Sequence, residues 1–328
     1  MKRIAINGFG RIGRLTFRNL IGMKDVEVVA INDLTDNRTL AHLLRFDSAQ
    51  GVLDNKVDYD DNSISIDGKK IHAFSIKDPA TLPWADLKVD VVLECTGLFT
   101  SKEKASAHIT AGAKYVIISA PADGTDIQTI VMGVNEDQID RSNQIFSNAS
   151  CTTNCLAPLA KVICDNWGFV SGAMVTIHAY TQDQRLQDSP HKDLRRARAA
   201  AVNIIPTTTG AAKAAGLVVP GIKDKMSAMS YRVPIITGSI VELSCVTEKP
   251  VTKEEVNAIY KEAALGRMKN VFLYSESPLV SSDIVGIKYS SIFDSLLTTA
   301  SGTNLKVVSW YDNEAGYSAR LADLALLL

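Results

Sequence analysis

The chain has 328 residues, of which 46% are hydrophobic and 22% are charged, and its formal net charge is -1. The length predicts two domains, and the balanced charge excludes a surface that attracts polyanions in general, so we expect no requirement for nucleic acid. The five cysteines are odd in number, and no apolar run resembles a signal sequence or a membrane span. We therefore expect a cytoplasmic protein without disulfide bonds or a membrane anchor.

The first residues have the pattern of a dinucleotide-binding unit. An apolar strand over Lys2–Asn7 is followed by GFGRIG at residues 8–13 and then by apolar residues at helical spacing. A second apolar strand, Val26–Asn32, ends at Asp33, where such a unit needs an acid. The three glycines would allow a tight turn, close approach to a pyrophosphate, and close packing of the helix on the strand. Because the Asp33 carboxylate would repel a 2′-phosphate, the pattern predicts NAD rather than NADP.

Strands and helices continue to alternate after this unit. Residues 37–46 have a helical pattern, and residues 63–71 predict a hairpin around Asp67-Gly68, which we interpret as an insertion in the sheet pattern. An apolar strand over Val89–Glu94, a helix over Ser101–Ala111 and a strand over Tyr115–Ser119 follow. The alternation predicts a parallel sheet whose carboxyl edge binds a ligand.

A run of small and hydroxyl residues, Ser147–Cys155, predicts a loop that leads into a helix. Ser150 is a candidate N-cap, which places Cys151 in the first turn, where the helix dipole would lower the pKa of its thiol toward that of a nucleophile. The alternative is that Cys151 is only a small buried hydrophobic residue. Zinc binding by Cys151 and Cys155 is disfavoured because no second pair of ligands lies nearby in the sequence, so we expect no metal.

Long alternating strands follow that helix. In Met174–Tyr180, Val175 and Ile177 share one face of a strand while Thr176 and His178 share the other. His178 therefore avoids the apolar face, which makes it a candidate base, although a lone histidine is often structural.

Three further features of the second half suggest functional sites, and two of them point to anion binding. The segment from Thr181 to Ile205 is long, polar and basic, and it predicts a functional loop, with a solvated face and a nucleic-acid patch as the alternatives. Hydroxyl residues and a glycine precede a helix within Ile204–Lys213, where a phosphate could bind. Arg232 lies in an apolar strand and needs an anion or an exposed face.

A last helix, Tyr317–Leu328, is expected to dock on an earlier element.

Six segments closely resemble the glyceraldehyde-3-phosphate dehydrogenase family. They are Asn7–Arg14, Ser147–Cys155, His178–Gln184, His191–Ala201, Ile204–Lys213 and Trp310–Tyr317. The fold expected from the pattern and the resemblance is α/β, with an N-terminal Rossmann dinucleotide-binding domain and an α+β catalytic domain that contains a mixed or antiparallel sheet. The expected boundaries are 1–149 plus 314–328 for the first domain and 150–313 for the second.

The resemblance implies a reaction and a set of site residues. The reaction is oxidation of glyceraldehyde 3-phosphate through a thioester, which inorganic phosphate cleaves to 1,3-bisphosphoglycerate while NAD is reduced. Cys151 matches the nucleophile and His178 the base. The substrate-phosphate site would include Thr181, Asp183 and Arg232, with Asp183 orienting Arg232. The inorganic-phosphate site would include Ser150, Thr152, Thr209 and Gly210, with Arg196 between the two sites. The cofactor positions are Gly8, Gly10, Arg11, Ile12, Asp33, Lys77, Ser119 and Asn313. The segment from 181 to about 203 resembles the family's S-shaped loop, which contacts a neighbouring subunit's cofactor in a homotetramer.

The chain departs from the family pattern at Gln182, Ala315 and residues 235–238. The departure at Gln182 puts substrate affinity in question, and the one at Ala315 puts nicotinamide packing in question. Within enzymes the alternative is erythrose-4-phosphate dehydrogenase, which shares the thiol motif. A non-catalytic role at a cell surface or on nucleic acid is the alternative from another class, for which the sequence offers no export signal.

Overall fold

The computed structural model describes residues 1–328, which form nineteen strands and seven α-helices. The chain divides into two compact units. The first contains Met1–Ile130, Asp137–Ala149 and Ser318–Leu328, and the second contains Val131–Glu136 and Ser150–Tyr317. None of the helices is both long enough and apolar enough to cross a lipid bilayer.

The first unit is built around a nine-stranded sheet. Its helices are α1 (Arg11–Leu20), α2 (Asn37–Arg45) and α3 (Lys102–Thr110). Its strands are β1 (Lys2–Asn7), β2 (Val26–Asn32), β3 (Phe46–Asp47), β4 (Gly51–Val52), β5 (Val57–Asp60), β6 (Ser63–Ile66), β7 (Lys69–Phe74), β8 (Val91–Glu94), β9 (Tyr115–Ile118), β10 (Gln128–Thr129) and β11 (Ile145–Ser147). The strand order is β10-β11-β9-β8-β1-β2-β7-β6-β5, while β3 and β4 pair separately.

The predicted hairpin is present, but it is not an insertion in this sheet. Strands β6 and β7 pair in antiparallel fashion around Asp67 and Gly68, which both have positive φ. β7 then pairs in parallel with β2, so the hairpin lengthens the same sheet at one edge. All pairings from β10 to β7 are parallel, as the alternation of apolar strands and helices predicts.

The second unit is built around a mixed sheet of eight strands. Its helices are α4 (Cys151–Trp167), α5 (Ala211–Val218) and α6 (Lys253–Leu265), and α7 (Ala315–Leu327) begins in this unit. Its strands are β12 (Ser171–Ala179), β13 (Ile205–Thr207), β14 (Met226–Val233), β15 (Ser239–Val246), β16 (Phe272–Ser275), β17 (Ser291–Asp294), β18 (Thr299–Ser301) and β19 (Asn304–Tyr311). The order is β13-β14-β12-β15-β19-β17-β16, with β18 paired to β19. Because β12 is parallel to β14 and antiparallel to β15, the predicted fold class is confirmed.

Strand β12 alternates as predicted, but its two faces are used in the opposite way from what its composition suggests. Thr176 and His178 are 1% and 4% exposed, whereas Ile177 is 45% exposed. Helices α4, α5 and α6 contact the strands of this sheet, and the face with Thr176 and His178 is the buried one. The apolar face of β12 is therefore the open face in the single chain.

Candidate active site

Cys151 is the first residue of α4, where the local sequence favours a helix start. Ser150 has extended backbone angles, and its hydroxyl oxygen accepts a hydrogen bond from the Thr153 N–H at 3.1 Å. This is the N-cap that the sequence predicts. The first-turn N–H groups lie beside the Cys151 side chain and favour negative charge there.

His178 lies at the end of β12 with its imidazole beside this thiol. Its Nε2 is 3.4 Å from the Cys151 Sγ, and its Nδ1 is 2.7 Å from the Ala179 carbonyl oxygen. The Arg232 Nη1, which can only donate, lies 3.1 Å from the same Nδ1, but the carbonyl contact is shorter. Because a carbonyl oxygen can only accept, this shorter contact assigns the ring proton to Nδ1. Nε2 is then unprotonated and can accept the proton of the thiol. The structure thus brings together the two residues that the sequence analysis selected as nucleophile and base.

The surroundings of the pair favour its neutral form. Cys151 keeps part of its surface open, yet neighbouring atoms desolvate the sulfur, and this burial raises the pKa of the thiol. The Arg232 cation and hydrogen bonds with Thr152 oppose the rise. Burial, followed by the charge of Arg232, lowers the pKa of His178 to about 3. The lowering of the thiol pKa expected from the helix N-terminus is therefore outweighed by burial.

Arg232 occupies the position opposite His178 in the parallel pairing of β12 and β14. Its Nη1 donates to the Ala179 carbonyl oxygen at 3.1 Å and to the Thr181 hydroxyl oxygen at 2.8 Å. Its Nε is buried and has no hydrogen-bond partner in the protein. A buried, unpaired donor on a guanidinium is costly unless an anion binds to it, which fits the sequence argument for an anion at this position.

Asp183 does not pair directly with Arg232, which corrects the expectation that it orients this arginine. Its carboxylate accepts a hydrogen bond from the Thr181 hydroxyl and forms an ion pair with Arg196, with an Nη1 to Oδ2 distance of 2.5 Å. Although burial alone would raise the pKa of Asp183, hydrogen bonding by Thr181 and the two arginines hold it below its ordinary value. The Thr181 hydroxyl, oriented by Asp183, therefore turns its oxygen toward Arg232.

Arg196 joins the loop after β12 to the segment before α5. Its Nε donates to the Thr207 hydroxyl at 2.9 Å and its Nη2 to the Thr208 carbonyl oxygen at 3.3 Å. Asp193 accepts a hydrogen bond from Thr207 at 2.8 Å. Two carboxylates thus lie close to the Arg196 guanidinium, so its charge is largely balanced within the protein.

The residues predicted to bind inorganic phosphate lie at two helix starts. Gly210 is the residue before α5, and the Thr209 hydroxyl oxygen accepts the Ala211 N–H at 3.2 Å. At the start of α4 the Ser150 hydroxyl is engaged in the N-cap. The Thr152 hydroxyl is buried, 3.0 Å from the hydroxyl of Tyr311.

Tyr311 is a residue near the pair that the sequence analysis did not select. Its hydroxyl lies 2.9 Å from that of Thr176, which in turn donates to the Ile240 carbonyl oxygen. Its ring packs edge-on against the His178 imidazole, with centroids 5.9 Å apart. The one signal in the sequence that could have indicated Tyr311 was its position, as a hydroxyl-bearing ring at the end of an apolar strand.

In the first unit the glycine loop has the shape that a pyrophosphate requires. A Cβ on Gly13 would lie 2.2 Å from the Gly8 carbonyl oxygen, and one on Gly8, where φ is +89°, would meet the backbone of Cys95 and Thr96 at 2.7 Å. A Cβ on Gly10 would meet nothing within 4 Å. The loop is therefore closed where helix and strand touch and open at Gly10, as a site for phosphates at the N-terminus of α1 should be.

The acid after β2 is held beside this loop. The Asp33 carboxylate accepts hydrogen bonds from the Phe9 N–H at 2.8 Å and from the Thr35 N–H at 3.0 Å. The Arg11 guanidinium is paired with Asp47 at 3.0 Å, so Arg11 would serve a phosphate through its backbone N–H. The residues present fit a dinucleotide with free ribose hydroxyls.

The remaining predicted cofactor residues are spread over both units. Lys77 is exposed, and the Ser119 N–H donates to the Glu94 carbonyl oxygen at 2.9 Å. In the second unit the Asn313 amide oxygen accepts a hydrogen bond from the Ser239 hydroxyl at 2.9 Å. This contact leaves the Asn313 amide group to donate to a ligand.

A Rossmann unit with this loop and acid, together with a thiol–imidazole pair, defines the class of a nicotinamide-dependent oxidoreductase that works through cysteine. Comparison with known proteins gives the family. The family model for the glyceraldehyde 3-phosphate dehydrogenase NAD binding domain matches residues 2–102, and the model for the C-terminal domain matches residues 150–313. The chain therefore belongs to the glyceraldehyde-3-phosphate dehydrogenase family, whose cofactor is NAD.

Similar proteins cover the chain almost completely. The glyceraldehyde-3-phosphate dehydrogenase of Mycobacterium avium is 58% identical over 333 residues, which are 99% of this chain and 98% of that protein. The protein of the same name from Mycobacterium tuberculosis (strain ATCC 25618 / H37Rv) is 59% identical with the same coverage. Glyceraldehyde-3-phosphate dehydrogenase 2 of Streptomyces avermitilis is 55% identical over 329 residues, again with 99% and 98% covered.

Proposed function

We propose that this protein catalyses the NAD-linked, phosphorylating oxidation of D-glyceraldehyde 3-phosphate in glycolysis. One observation carries the proposal. The Cys151 Sγ lies 3.4 Å from an unprotonated His178 Nε2, and Arg232, next to this imidazole, has a buried Nε without a partner. A nucleophile, its base and a donor for a phosphate are thus neighbours.

The reaction begins with proton transfer inside the pair. As Cys151 attacks the aldehyde carbon, the thiol proton moves to His178 Nε2, and the imidazolium can donate to the oxygen of the resulting hemithioacetal. Conversion of the hemithioacetal to a thioester releases a hydride and the hydroxyl proton; His178 would take the proton, and NAD, when bound, would supply the hydride acceptor. Inorganic phosphate then attacks the thioester carbon, which releases 1,3-bisphosphoglycerate and restores Cys151 for the next turnover.

Two anion sites serve this chemistry in our proposal. Arg232 and Thr181 bind the substrate phosphate, and Asp183 fixes the direction of the Thr181 hydroxyl. The starts of α4 and α5 bind inorganic phosphate through Ser150, Thr152, Thr209 and Gly210. Because the Ser150 and Thr152 hydroxyls have partners in the protein, the backbone N–H groups of these helix starts would supply much of the binding. Arg196 would stabilise both sites, since it pairs with Asp183 and donates to Thr207 and to the Thr208 carbonyl oxygen.

The cofactor residues divide by the part of NAD that each would hold. Gly8, Gly10, Arg11 and Ile12 would bind the pyrophosphate, and Asp33 the adenosine ribose. Lys77 would flank the adenine, Ser119 would flank the nicotinamide side, and Asn313 would donate to the carboxamide. We propose residues 1–149 and 314–328 as the NAD-binding domain and residues 150–313 as the catalytic domain.

We further propose that the protein is a cytoplasmic homotetramer. The observation that supports the assembly is exposed apolar surface. Ile177 and Met229 lie on the open face of the second sheet and are each 45% exposed. Leu186 and Leu194 in segment 181–203 are each 82% exposed. Apolar surface of this kind on a folded chain commonly marks a contact with another subunit.

The test is NADH formation from glyceraldehyde 3-phosphate with and without inorganic phosphate. We expect turnover to require phosphate and to prefer NAD over NADP. Cys151→Ser should abolish turnover, whereas the matched control Cys164→Ser, on the same helix, should retain it. Sustained turnover without phosphate, or a fully active Cys151→Ser variant, would contradict the proposal. A higher kcat/KM for erythrose 4-phosphate would transfer it to the alternative aldehyde.

A further inference from the structure

A chain of hydrogen-bonded polar side chains lies buried beneath the carboxyl edge of the first sheet. Its members are Asn32, Asn7, Glu94, His108 and Trp84, and each is at most 4% exposed. The catalytic chemistry proposed above uses none of them. Burying five polar side chains together is costly unless every one is satisfied, so their retention calls for a reason.

Glu94 is the centre of this chain because its carboxylate receives four hydrogen bonds. The Asn7 amide donates to Oε2 at 2.6 Å, and His108 Nε2 lies 3.0 Å from the same oxygen. The backbone N–H of Thr96 donates to Oε1 at 2.8 Å, and the Thr96 hydroxyl donates to it as well.

The direction of each bond follows from groups that can only donate. The Trp84 indole N–H donates to His108 Nδ1 at 3.1 Å, so the ring proton of His108 is on Nε2 and points at Glu94. The Asn32 amide donates to the Asn7 oxygen at 2.7 Å, which turns the Asn7 amide group toward Glu94. All the donors therefore converge on one carboxylate, and a neutral amide in its place would face at least one of them with another donor.

Two strand ends in this network, those of β1 and β2, immediately precede a cofactor residue. Asn7 is followed by Gly8 of the glycine loop, and Asn32 is followed by Asp33. Asn32 also exchanges two hydrogen bonds of 2.9 Å with the backbone of Ile76, which precedes Lys77. The network thus ties together three separate segments whose next residues are those assigned to the dinucleotide.

We propose that Glu94 is a positioning residue for dinucleotide binding, acting through Asn7 and Asn32 to hold the glycine loop and Asp33 in their binding arrangement. The inference rests on the dinucleotide site of the proposed function. A single buried acceptor that fixes several strand ends reduces the ordering that the ligand would otherwise impose when it binds.

The test compares Glu94→Gln with Trp84→Phe by calorimetric titration of the purified, full-length protein with NAD and with ADP-ribose. For Glu94→Gln we expect the Kd of both ligands to rise at least about tenfold, since charge-assisted bonds become unpaired donors. The KM for NAD should rise in parallel, while kcat at saturating NAD stays within about threefold of the wild type. Trp84→Phe loses only the indole N–H at the far end, so it should lower the Tm while both Kd values stay within about twofold.

Four results would separate the possible failures. A Glu94→Gln protein with wild-type Kd values, or a Trp84→Phe protein whose Kd rises equally, would overturn the positioning role. If Glu94→Gln does not fold, Asn7→Ala cuts the link between Glu94 and Asn32, and unchanged affinity in that variant would overturn the role as well. A wild-type protein without affinity for NAD would instead refute the proposed dinucleotide site.

Discussion

Replacement of Arg232 tests the substrate-phosphate site most directly. Its Nη1 is satisfied by Ala179 and Thr181, while its Nε is buried without a partner. In Arg232→Ala a bound phosphate would lose the Nε–H and at least one further N–H. Charge-assisted hydrogen bonds contribute roughly 1.5–3 kcal/mol each, so the loss should be about 3–6 kcal/mol, or about 10²- to 10⁴-fold in kcat/KM.

The assay uses two aldehydes that differ only in the phosphate. For Arg232→Ala we expect the stated loss with glyceraldehyde 3-phosphate and at most about a fivefold loss with unphosphorylated glyceraldehyde. Arg232→Lys keeps the charge but not the planar donors, so it should fall between the wild type and Arg232→Ala. An equal loss with both aldehydes would refute the reasoning, because it would mean that Arg232 acts on the thiol–imidazole pair and not on the phosphate.

Four other outcomes follow from the structure. The pKa of His178 is lowered from 6.5 to about 3, so the native state resists protonation of this imidazole. The resulting contribution of roughly 5 kcal/mol to the free energy of unfolding is present above pH 6.5 and is lost as the pH falls toward 3. His178→Asn should therefore show a flatter decline in the free energy of unfolding over this range. Gly10→Ala should leave the Tm unchanged but weaken NAD binding at least about tenfold. Gly13→Ala should destabilise the fold by about 3 kcal/mol, since its Cβ would lie 2.2 Å from a carbonyl oxygen. Equal Tm values for the two variants would contradict this difference. Asp33→Gly should lower the selectivity for NAD over NADP by about tenfold or more, and unchanged selectivity would count against the ribose assignment. Ile177→Glu should shift the oligomer to smaller species in light scattering, and a wild-type protein that is already monomeric would refute the tetramer.

The sequence predicts best what depends on neighbours along the chain. The bounds predicted for β1 and β2 agree with the structure residue by residue, and Ser150 caps α4 as expected, because periodicity and capping are local signals. Strands β16 and β17 were not predicted, because their short segments become strands only through pairing with each other and, for β17, with β19. Tertiary pairing of this kind has no signature within a short window.

The candidate site follows the same division. Cys151, His178 and the glycine loop carry local signals in the type and spacing of their residues. The ion pair between Asp183 and Arg196 joins residues that are thirteen positions apart in an irregular loop, and the bond between Asn7 and Glu94 spans eighty-seven positions. In each pair, the sequence around one partner gives no indication of the other. All four residues look like ordinary polar positions of a strand or a loop.

Strand β12 shows that alternation separates the two faces of a strand but leaves open which of them the fold buries. Alternation assigns Val175 and Ile177 to one face and His178 to the other, yet it cannot say which face the helices of the same chain will cover. In this fold the helices cover the side with His178, which desolvates the imidazole and lowers its pKa. In the proposed tetramer another subunit would cover the apolar side. One strand would then link assembly to catalysis, because a contact that buries Ile177 would also stabilise the backbone that holds His178 against Cys151.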